Sequence, residues 1–266
     1  MYNNLCIFSY NSRGFNSSKQ DFLKTLTVTA GNSLAVICNQ ENFLLKANEY
    51  IAKKALPGHH IFFNPATKDG LNGRPKNGMF VAVPECLKEL VKEVSPPSKR
   101  MQSLMFNFQA CKILLINTYF PTDPKTTNFD ETDLELLLSQ IRDSIIHNDF
   151  DQMILTGDIN ADFRRNTRFV KVIDNFIAEM NLCKSWERYS IDFTHVSELN
   201  GTTYTSTLDH FLWNQTANSS ITDAGVIHLP ENMSDHCPVF CNISIPIIRQ
   251  QVQAKDSGIG IVSTMV

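Results

Sequence analysis

Short apolar runs, each closed by polar or acidic side chains, recur along this 266-residue chain. Leu5 to Tyr10 is followed by Asn11-Ser12-Arg13-Gly14, and Leu34 to Cys38 by Asn39-Gln40-Glu41. Lys112 to Tyr119 carries Asn117 and Tyr119 near its end, and Gln152 to Thr156 is followed by Gly157-Asp158-Ile159-Asn160. Apolar runs of this length, bounded by turn residues, read as strands covered on both faces. Such strands need further layers above and below them. No apolar run approaches the ~20 residues that a membrane-spanning helix requires.

Helical patterns alternate with these strands. Ser17 or Ser18 can cap a helix to about Ala30, with Phe22, Leu23 and Leu26 on one face. The spacing predicts further helices over Asn42 to Leu56, stopped by Pro57-Gly58, over Asp130 to His147, and over Phe169 to Met180. Strands are expected at His60 to Phe63, Met79 to Val83, Leu104 to Phe108, Leu208 to Trp213, Ile221 to Leu229 and Val239 to Ile245, with a turn-rich stretch from Lys68 to Pro75. Gln109-Ala110-Cys111 reads as the turn of a hairpin. Two helix-bearing halves with hairpin-like strands between them imply two stacked sheets with helices outside. The expected organisation is one domain of mixed α/β class over residues 1–246, followed by a loose tail over 247–266.

Lys plus Arg (24) against Asp plus Glu (27) leaves a net charge of −3, which excludes a histone-like, generally basic binder. A polyanionic substrate would have to be held by local charge or by metal. The seven cysteines are odd in number and contain no CxxC pair, as expected of a reducing compartment without a zinc site. Cys6, Cys38 and Cys111 lie in apolar runs and read as buried small hydrophobes. The N-terminus lacks the basic region and apolar length of a secretory signal. The expectation is an intracellular chain, not secreted and not membrane-bound.

The polar strand ends are where chemistry would concentrate. After Gly157, which permits close backbone approach, Asp158 and Asn160 would face one spot if the chain stayed extended. A carboxylate there can orient and deprotonate water, and a carboxamide can hold a phosphate oxygen without adding charge; an Asx cap of the next helix is the competing reading. Ser234-Asp235-His236 sets an acid beside the residue that most readily exchanges protons near neutral pH. Asp209, in an otherwise apolar strand, needs a partner, and His236 is the candidate; His210 reads as a packing residue. Glu41 is either the acid of a helix first turn or a hard-oxygen magnesium ligand.

Taken in order, Asn-x-Arg-Gly, Gln-Glu, Gly-Arg-Pro, Asn-x-Tyr-x-Pro, Gly-Asp-x-Asn, Leu-Asp-His and Ser-Asp-His resemble the endonuclease/exonuclease/phosphatase superfamily. The resemblance is closer to the apurinic-endonuclease-like domain of non-LTR (LINE-type) retrotransposons, and it spans about Leu5 to Ile245. It implies a DNase I-like four-layer α/β/β/α sandwich, an α+β arrangement of two mixed sheets flanked by helices. It further implies a Mg²⁺-dependent endonuclease, with Mn²⁺ as the alternative ion, that nicks double-stranded DNA and leaves a 3′-hydroxyl and a 5′-phosphate. By that likeness Glu41 would bind the ion with Asn11 beside it, and Asp235 would approach it. Asp158 would position the attacking water, and Asn160 would support the water and the phosphate. His236, oriented by Asp209, would contact the scissile phosphate, and Tyr119 would hold a phosphate oxygen or support Asp158.

Arg13, Arg74, Arg164 and Arg165 are the expected DNA contacts, with a solvated helix face as the competing reading for the last two. Repair-type relatives carry Trp three residues before the Asp of the Leu-Asp motif; here that place is Ser206, which argues against specificity for base-less sites. The implied partners are duplex DNA and, in an intact element, a reverse transcriptase domain, which would place the activity in the nucleus. The alternatives are a superfamily phosphatase acting on an inositol phosphate or phospholipid, and a catalytically decayed nucleic-acid-binding module.

Overall fold

A computed structural model describes residues 2–68, 70, 73–95, 98–122 and 131–246. The tail expected from residue 247 onward, part of the turn-rich stretch, and Asp130 at the expected start of a helix lie outside the described residues.

The first half contains β1 (Tyr2–Asn11), α1 (Ser17–Thr29), β2 (Leu34–Gln40), α2 (Glu49–Ala55), β3 (His59–Asn64), β4 (Thr67–Lys68), β5 (Pro75–Lys76), β6 (Met79–Pro84), β7 (Val91–Glu93) and β8 (Met101–Phe108). The second contains β9 (Cys111–Tyr119), α3 (Thr132–Ile146), β10 (Gln152–Asp158), α4 (Arg168–Glu179), β11 (Leu182–Lys184), β12 (His195–Leu199), β13 (Thr202–Ser206), β14 (Asp209–Asn214), α5 (Gln215–Asn218), β15 (Ile221–Val226) and β16 (Val239–Pro246).

Two six-stranded sheets form, ordered β15-β16-β1-β2-β6-β3 and β11-β14-β10-β9-β8-β7. Both are mixed. β1 is parallel to β2 and antiparallel to β16, while β10 is parallel to β9 and antiparallel to β14.

Alternation along each strand builds the layers. Leu5 and Ile7 of β1 pack with Ile113, Leu115, Ile154, Phe211 and Trp213 in a core between the sheets. Cys6, Phe8 and Tyr10, on the other face of β1, pack with Phe22, Leu23 and Leu26 of α1 and Ala52 and Ala55 of α2. Leu114, Ile116 and Leu155 pack outward against Leu134, Leu137 and Ile141 of α3 and Phe169, Ile173 and Phe176 of α4. The order of layers is helix, sheet, sheet, helix. Each fully buried Leu, Ile or Phe contributes roughly 1.5–3 kcal/mol, so three contiguous cores hold the sandwich without disulfides.

Several local expectations need correction. The cap of α1 is Asn16, whose side chain accepts from Lys19 N, and not Ser17 or Ser18. The helix expected from Asn42 starts only at Glu49, after a short 3₁₀ turn at Lys46–Asn48. Asn42 N and Phe43 N donate to the carbonyls of Gly78 and Asn77, which ties this segment to the entry of β6 as a loop. Cys111 pairs with Phe108, so the hairpin turn is only Gln109-Ala110. β15 ends at Val226 rather than Leu229. The β12–β13 hairpin has no counterpart in the expectation, because its Ser, Thr and Glu residues lack the apolar alternation that marks a buried strand. No helix among the described residues is long and apolar enough to cross a membrane.

Candidate active site

Because β1 and β2 are parallel, as are β9 and β10, the carboxyl ends of each pair lie side by side. Such ends are where open α/β sheets gather ligands. Here the two ends are joined across the sandwich by side-chain amides. Gln40 Nε2 donates to Asn117 Oδ1 at 2.7 Å and to Ser9 Oγ at 3.0 Å, and Asn117 Nδ2 donates to Asn39 O at 3.4 Å. One residue further out, Asn11 Nδ2 donates to both Glu41 Oε2 (2.9 Å) and Asp158 Oδ2 (2.8 Å). A single amide thus bridges a carboxylate from each sheet, while Asn11 Oδ1 accepts from the backbone N–H of Arg13.

β14, antiparallel to β10, begins at Asp209 directly beside Asp158. Asp209 is fully buried, and its Oδ2 lies 2.9 Å from His236 Nδ1. That bond holds the ring so that His236 Nε2 faces Asp158 Oδ2, 3.8 Å away. Asp209 Oδ1 has no hydrogen-bond partner among the described residues. Tyr119 places its hydroxyl on Glu41, with the Arg100 guanidinium over its ring.

The site residues carry backbone strain. Arg13 (φ 44°), Glu41 (φ 48°) and Asn160 (φ 54°) are all left-handed, a conformation that ordinary side chains hold only when their surroundings require it. The extended geometry that would aim Asp158 and Asn160 the same way ends at Asp158. Asp158 Oδ1 accepts from Asn160 N at 3.0 Å in an Asx turn, and Asn160 Nδ2 donates to Phe120 O. Both side chains nonetheless line the same cavity.

That cavity, of about 580 Å³, is lined by Arg13, Glu41, Tyr119, Asp158, Asn160 and His236, together with Arg165, Leu208 and residues of the β12–β13 hairpin. Asp209 sits behind His236. Asp235 turns to the Arg13 guanidinium, with which it is ion-paired, and to His195 Nε2 at 3.7 Å. Arg164 makes a two-bond fork onto buried Asp162, at 2.9 and 2.8 Å, so it is tied within the loop rather than aimed at the cavity. Arg74 is exposed and not among the cavity residues.

Some members of this constellation carry no sequence signal. Thr194 is fully buried, and its Oγ1 accepts from the backbone N–H groups of Leu208 (2.8 Å) and Asp209 (3.0 Å). Its carbonyl accepts from Cys237 N, so one residue joins the strand bearing Asp209 to the loop bearing His236. Thr194→Val would leave two buried donors without acceptors, and a loss of about 2–4 kcal/mol in urea unfolding is expected. A loss below about 1 kcal/mol would show that the hydroxyl is not the clasp. Lys19, also buried, donates from Nζ to the carbonyls of Ser12 and Arg13 and fixes the loop after β1. His195 and Asp162 likewise lie at the cavity.

Charge is unevenly matched here. Burial drives the Asp158 carboxyl above the usual range, against the pull of His236, and the nearby Asp209 charge adds to the rise. Burial alone would lower His236, but Asp209 and Asp158 outweigh it and push the imidazole up to about 9. Burial, then the charges of Glu41 and Asp158, raises the Tyr119 hydroxyl. Burial and the His236 charge lower His195 to about 4.

Both Asp158 and His236 hold protons more tightly in the folded chain than in the unfolded one, so each favours folding less as pH rises. The His236 contribution is complete below about 6.5 and is lost as pH climbs through about 9. In EDTA the thermal midpoint should therefore fall between those values, and His236→Gln should flatten the decline. A midpoint that rises across that window would refute the assignment.

Group chemistry favours a cation. Glu41 and Asp158 are drawn together by one amide, and Asp209 is buried behind them. Hard carboxylate oxygens gathered in this way suit a divalent cation, with Glu41 and Asp158, which share the Asn11 amide, as available donors.

No protein-family model matches the chain, and no curated protein matches its sequence. Solved structures do match. The endonuclease domain of TRAS1, a telomere-specific non-LTR retrotransposon, is 17% identical with a TM-score of 0.64, over 90% of this chain and 98% of that one. The AP endonuclease LMAP from Leishmania major is 14% identical with a TM-score of 0.68, over 92% and 89%. The APE2 catalytic domain of Xenopus laevis is 16% identical with a TM-score of 0.67, over 91% and 94%. At such identities the likeness is one of architecture, and the chain has the DNase I-like, two-sheet fold of the endonuclease/exonuclease/phosphatase proteins.

Proposed function

We propose that the protein is a Mg²⁺-dependent DNA endonuclease of the retrotransposon type, which hydrolyses one strand of duplex DNA to a 3′-hydroxyl and a 5′-phosphate. The observation that carries this reading is the convergence of Asn11, Glu41 and His236 from one sheet with Tyr119, Asp158, Asn160 and Asp209 from the other. Side chains of these types in one cavity suit in-line hydrolysis of a phosphodiester.

Each group has a task that its surroundings support. Asp158, raised by burial, is poised to accept a proton from a water molecule that it also orients. His236, charged and held through Nδ1, offers Nε2–H to a phosphate oxygen where negative charge grows. Asn160 gives one amide N–H to Phe120 O, which leaves its second N–H for a phosphate oxygen and its Oδ1 to accept from the water. A cation held by Glu41, with Asn11 beside it, would supply neutralisation of the phosphate charge.

Arg13 and Arg165, which line the cavity, suit backbone phosphates flanking the scissile bond. Arg164 would first have to leave Asp162, and Arg74 would contribute only to DNA reaching well beyond the cavity. Asp235 would join the cation only after parting from Arg13. A retrotransposon endonuclease domain shares this fold; on that narrower reading a reverse transcriptase is the functional partner and the nucleus the place of action.

Nicking of supercoiled plasmid tests the reading, with Mg²⁺ or EDTA, by wild type and Asp158→Ala. Relaxed circles should appear only for wild type with metal. Equal nicking in EDTA, or by Asp158→Ala, would overturn the assignment. Release of inorganic phosphate from small esters without nicking would move the protein to the phosphatases. Binding of plasmid without either activity would make it a decayed nucleic-acid-binding module.

A further inference from the structure

We infer that His195, Asp235 and His236 form a binding site for a transition-metal ion of the zinc(II) class, where the β12–β13 hairpin meets the loop bearing His236 and without the Glu41 carboxylate among its donors. One donor atom from each of the three lies within 4.8 Å of the others. The set is two imidazole nitrogens and one carboxylate oxygen. Borderline ions such as Zn²⁺ favour that mixture, whereas Mg²⁺ prefers oxygen alone.

The backbone holds the three side chains together before any ion arrives. His195 and His236 face each other in an antiparallel bridge, and Val196 N donates to Asp235 O at 2.9 Å. The two imidazole rings lie 4.8 Å apart between centroids. Each ring also has its second nitrogen occupied. His236 Nδ1 is bonded to Asp209, and His195 Nδ1 lies 3.2 Å from Ser206 Oγ. Each ring thus has an oxygen behind Nδ1, the outer-shell arrangement that fixes metal-bound histidines. His195 Nε2 lies 3.7 Å from Asp235 and His236 Nε2 lies 3.8 Å from Asp158, so an ion would take the place of the proton on His236 Nε2.

Tetrahedral donors with bonds of about 2.0–2.2 Å stand about 3.4 Å apart, so the three atoms must close by roughly 1 Å. The His195 and Asp235 side chains are partly exposed and can make that movement.

Besides the His236 proton that faces Asp158, the obstacle is Arg13, which holds Asp235 in the present arrangement. Its side chain is 58% exposed, and ion pairs so open to water hold weakly. Arg13 thus competes with the ion for one ligand, which gives the proposal a gain-of-binding test. On the hydrolase reading, an ion here would also take His236 away from the phosphate; that consequence rests on the reading above, but the site does not.

The experiment is calorimetric titration of Zn²⁺ into the full chain with saturating Mg²⁺ and no DNA, with Co²⁺ visible absorption as a report of coordination. Wild type should bind one Zn²⁺ and show a tetrahedral Co²⁺ spectrum. His195→Phe and Asp235→Asn should each weaken Zn²⁺ by tenfold or more, Glu41→Gln should not, and Arg13→Ala should tighten it. Tightening cannot arise from misfolding, so it separates loss of a ligand from loss of the fold. No binding by wild type, unchanged affinity in His195→Phe, or an Arg13→Ala affinity no tighter than wild type would each overturn the site. Because no DNA is present, failure of the nuclease assay would leave these outcomes readable.

Discussion

His236→Ala is expected to slow single-turnover nicking of supercoiled plasmid by a factor of about 10³–10⁴, or about 4–5.5 kcal/mol of lost transition-state stabilisation. Asp209→Ala should cost nearly as much although Asp209 touches no substrate. Its Oδ2, 2.9 Å from His236 Nδ1, is what aims the ring and keeps it charged. Without that carboxylate a buried imidazole would lose its proton and its orientation together. The two side chains therefore act as one unit, and His236→Ala/Asp209→Ala should be little worse than either single variant. Losses that multiply in the double variant would show that Asp209 and His236 contribute independently. Asp209→Asn should fall between, because it keeps an acceptor but not the charge. Its nicking rate should also fall off at lower pH than that of wild type, since the imidazole it orients would deprotonate earlier.

The layers of the sandwich were legible because their signal is local. β1, β2, β9 and β10 are nearly continuous apolar runs, and the stripes of α3 and α4 recur at helical spacing. Polar residues at the ends of those runs were legible for the same reason, since Asn11, Glu41, Tyr119 and Asp158 interrupt patterns that would otherwise continue. What the sequence did not expose is everything set by contacts between distant elements. Thr194 and Ser206 are ordinary Ser/Thr turn material until a fold puts one under Asp209 and the other against His195. The β12–β13 hairpin presents polar residues to a cavity and to solvent, so no face alternates. Arg164 looked like a free basic residue because nothing local reveals that Asp162 is buried beneath it. Local pattern misplaces the start of α2 because hydrogen bonds from Asn42 and Phe43 to Gly78 and Asn77, about 35 residues on, outweigh a weak local helix preference.

The same distinction bears on how the two halves of the site are kept in register. β10 carries the residue with the heaviest task, Asp158, and reaches it through Gly157, whose φ is +148°. Gly157 lies opposite Thr118 in the parallel pairing with β9 and opposite His210 in the antiparallel pairing with β14. It is hemmed in on both sides by main chain.

Gly157→Ala should be severely damaging for a single added methyl. A Cβ there would lie 1.8 Å from Thr118 O, 2.7 Å from Thr118 C and 2.9 Å from Thr118 Oγ1. Two of those three atoms are backbone, so no change of rotamer relieves the contact, and β9 and β10 would have to part where Tyr119 and Asp158 emerge. A loss of about 3–5 kcal/mol in urea unfolding, or failure to fold, is expected, well beyond the effect of most substitutions. Gly201→Ala supplies the comparison. It has φ +76° at the turn of the β12–β13 hairpin, and nothing lies within 4 Å of its added carbon. Its cost should be only the left-handed backbone itself, about 1–2 kcal/mol. If the two variants lost equal stability, the close approach of β10 to β9 could not be what seats Asp158. If Gly157→Ala folded but nicked no DNA, the same approach would be doing its work through position alone.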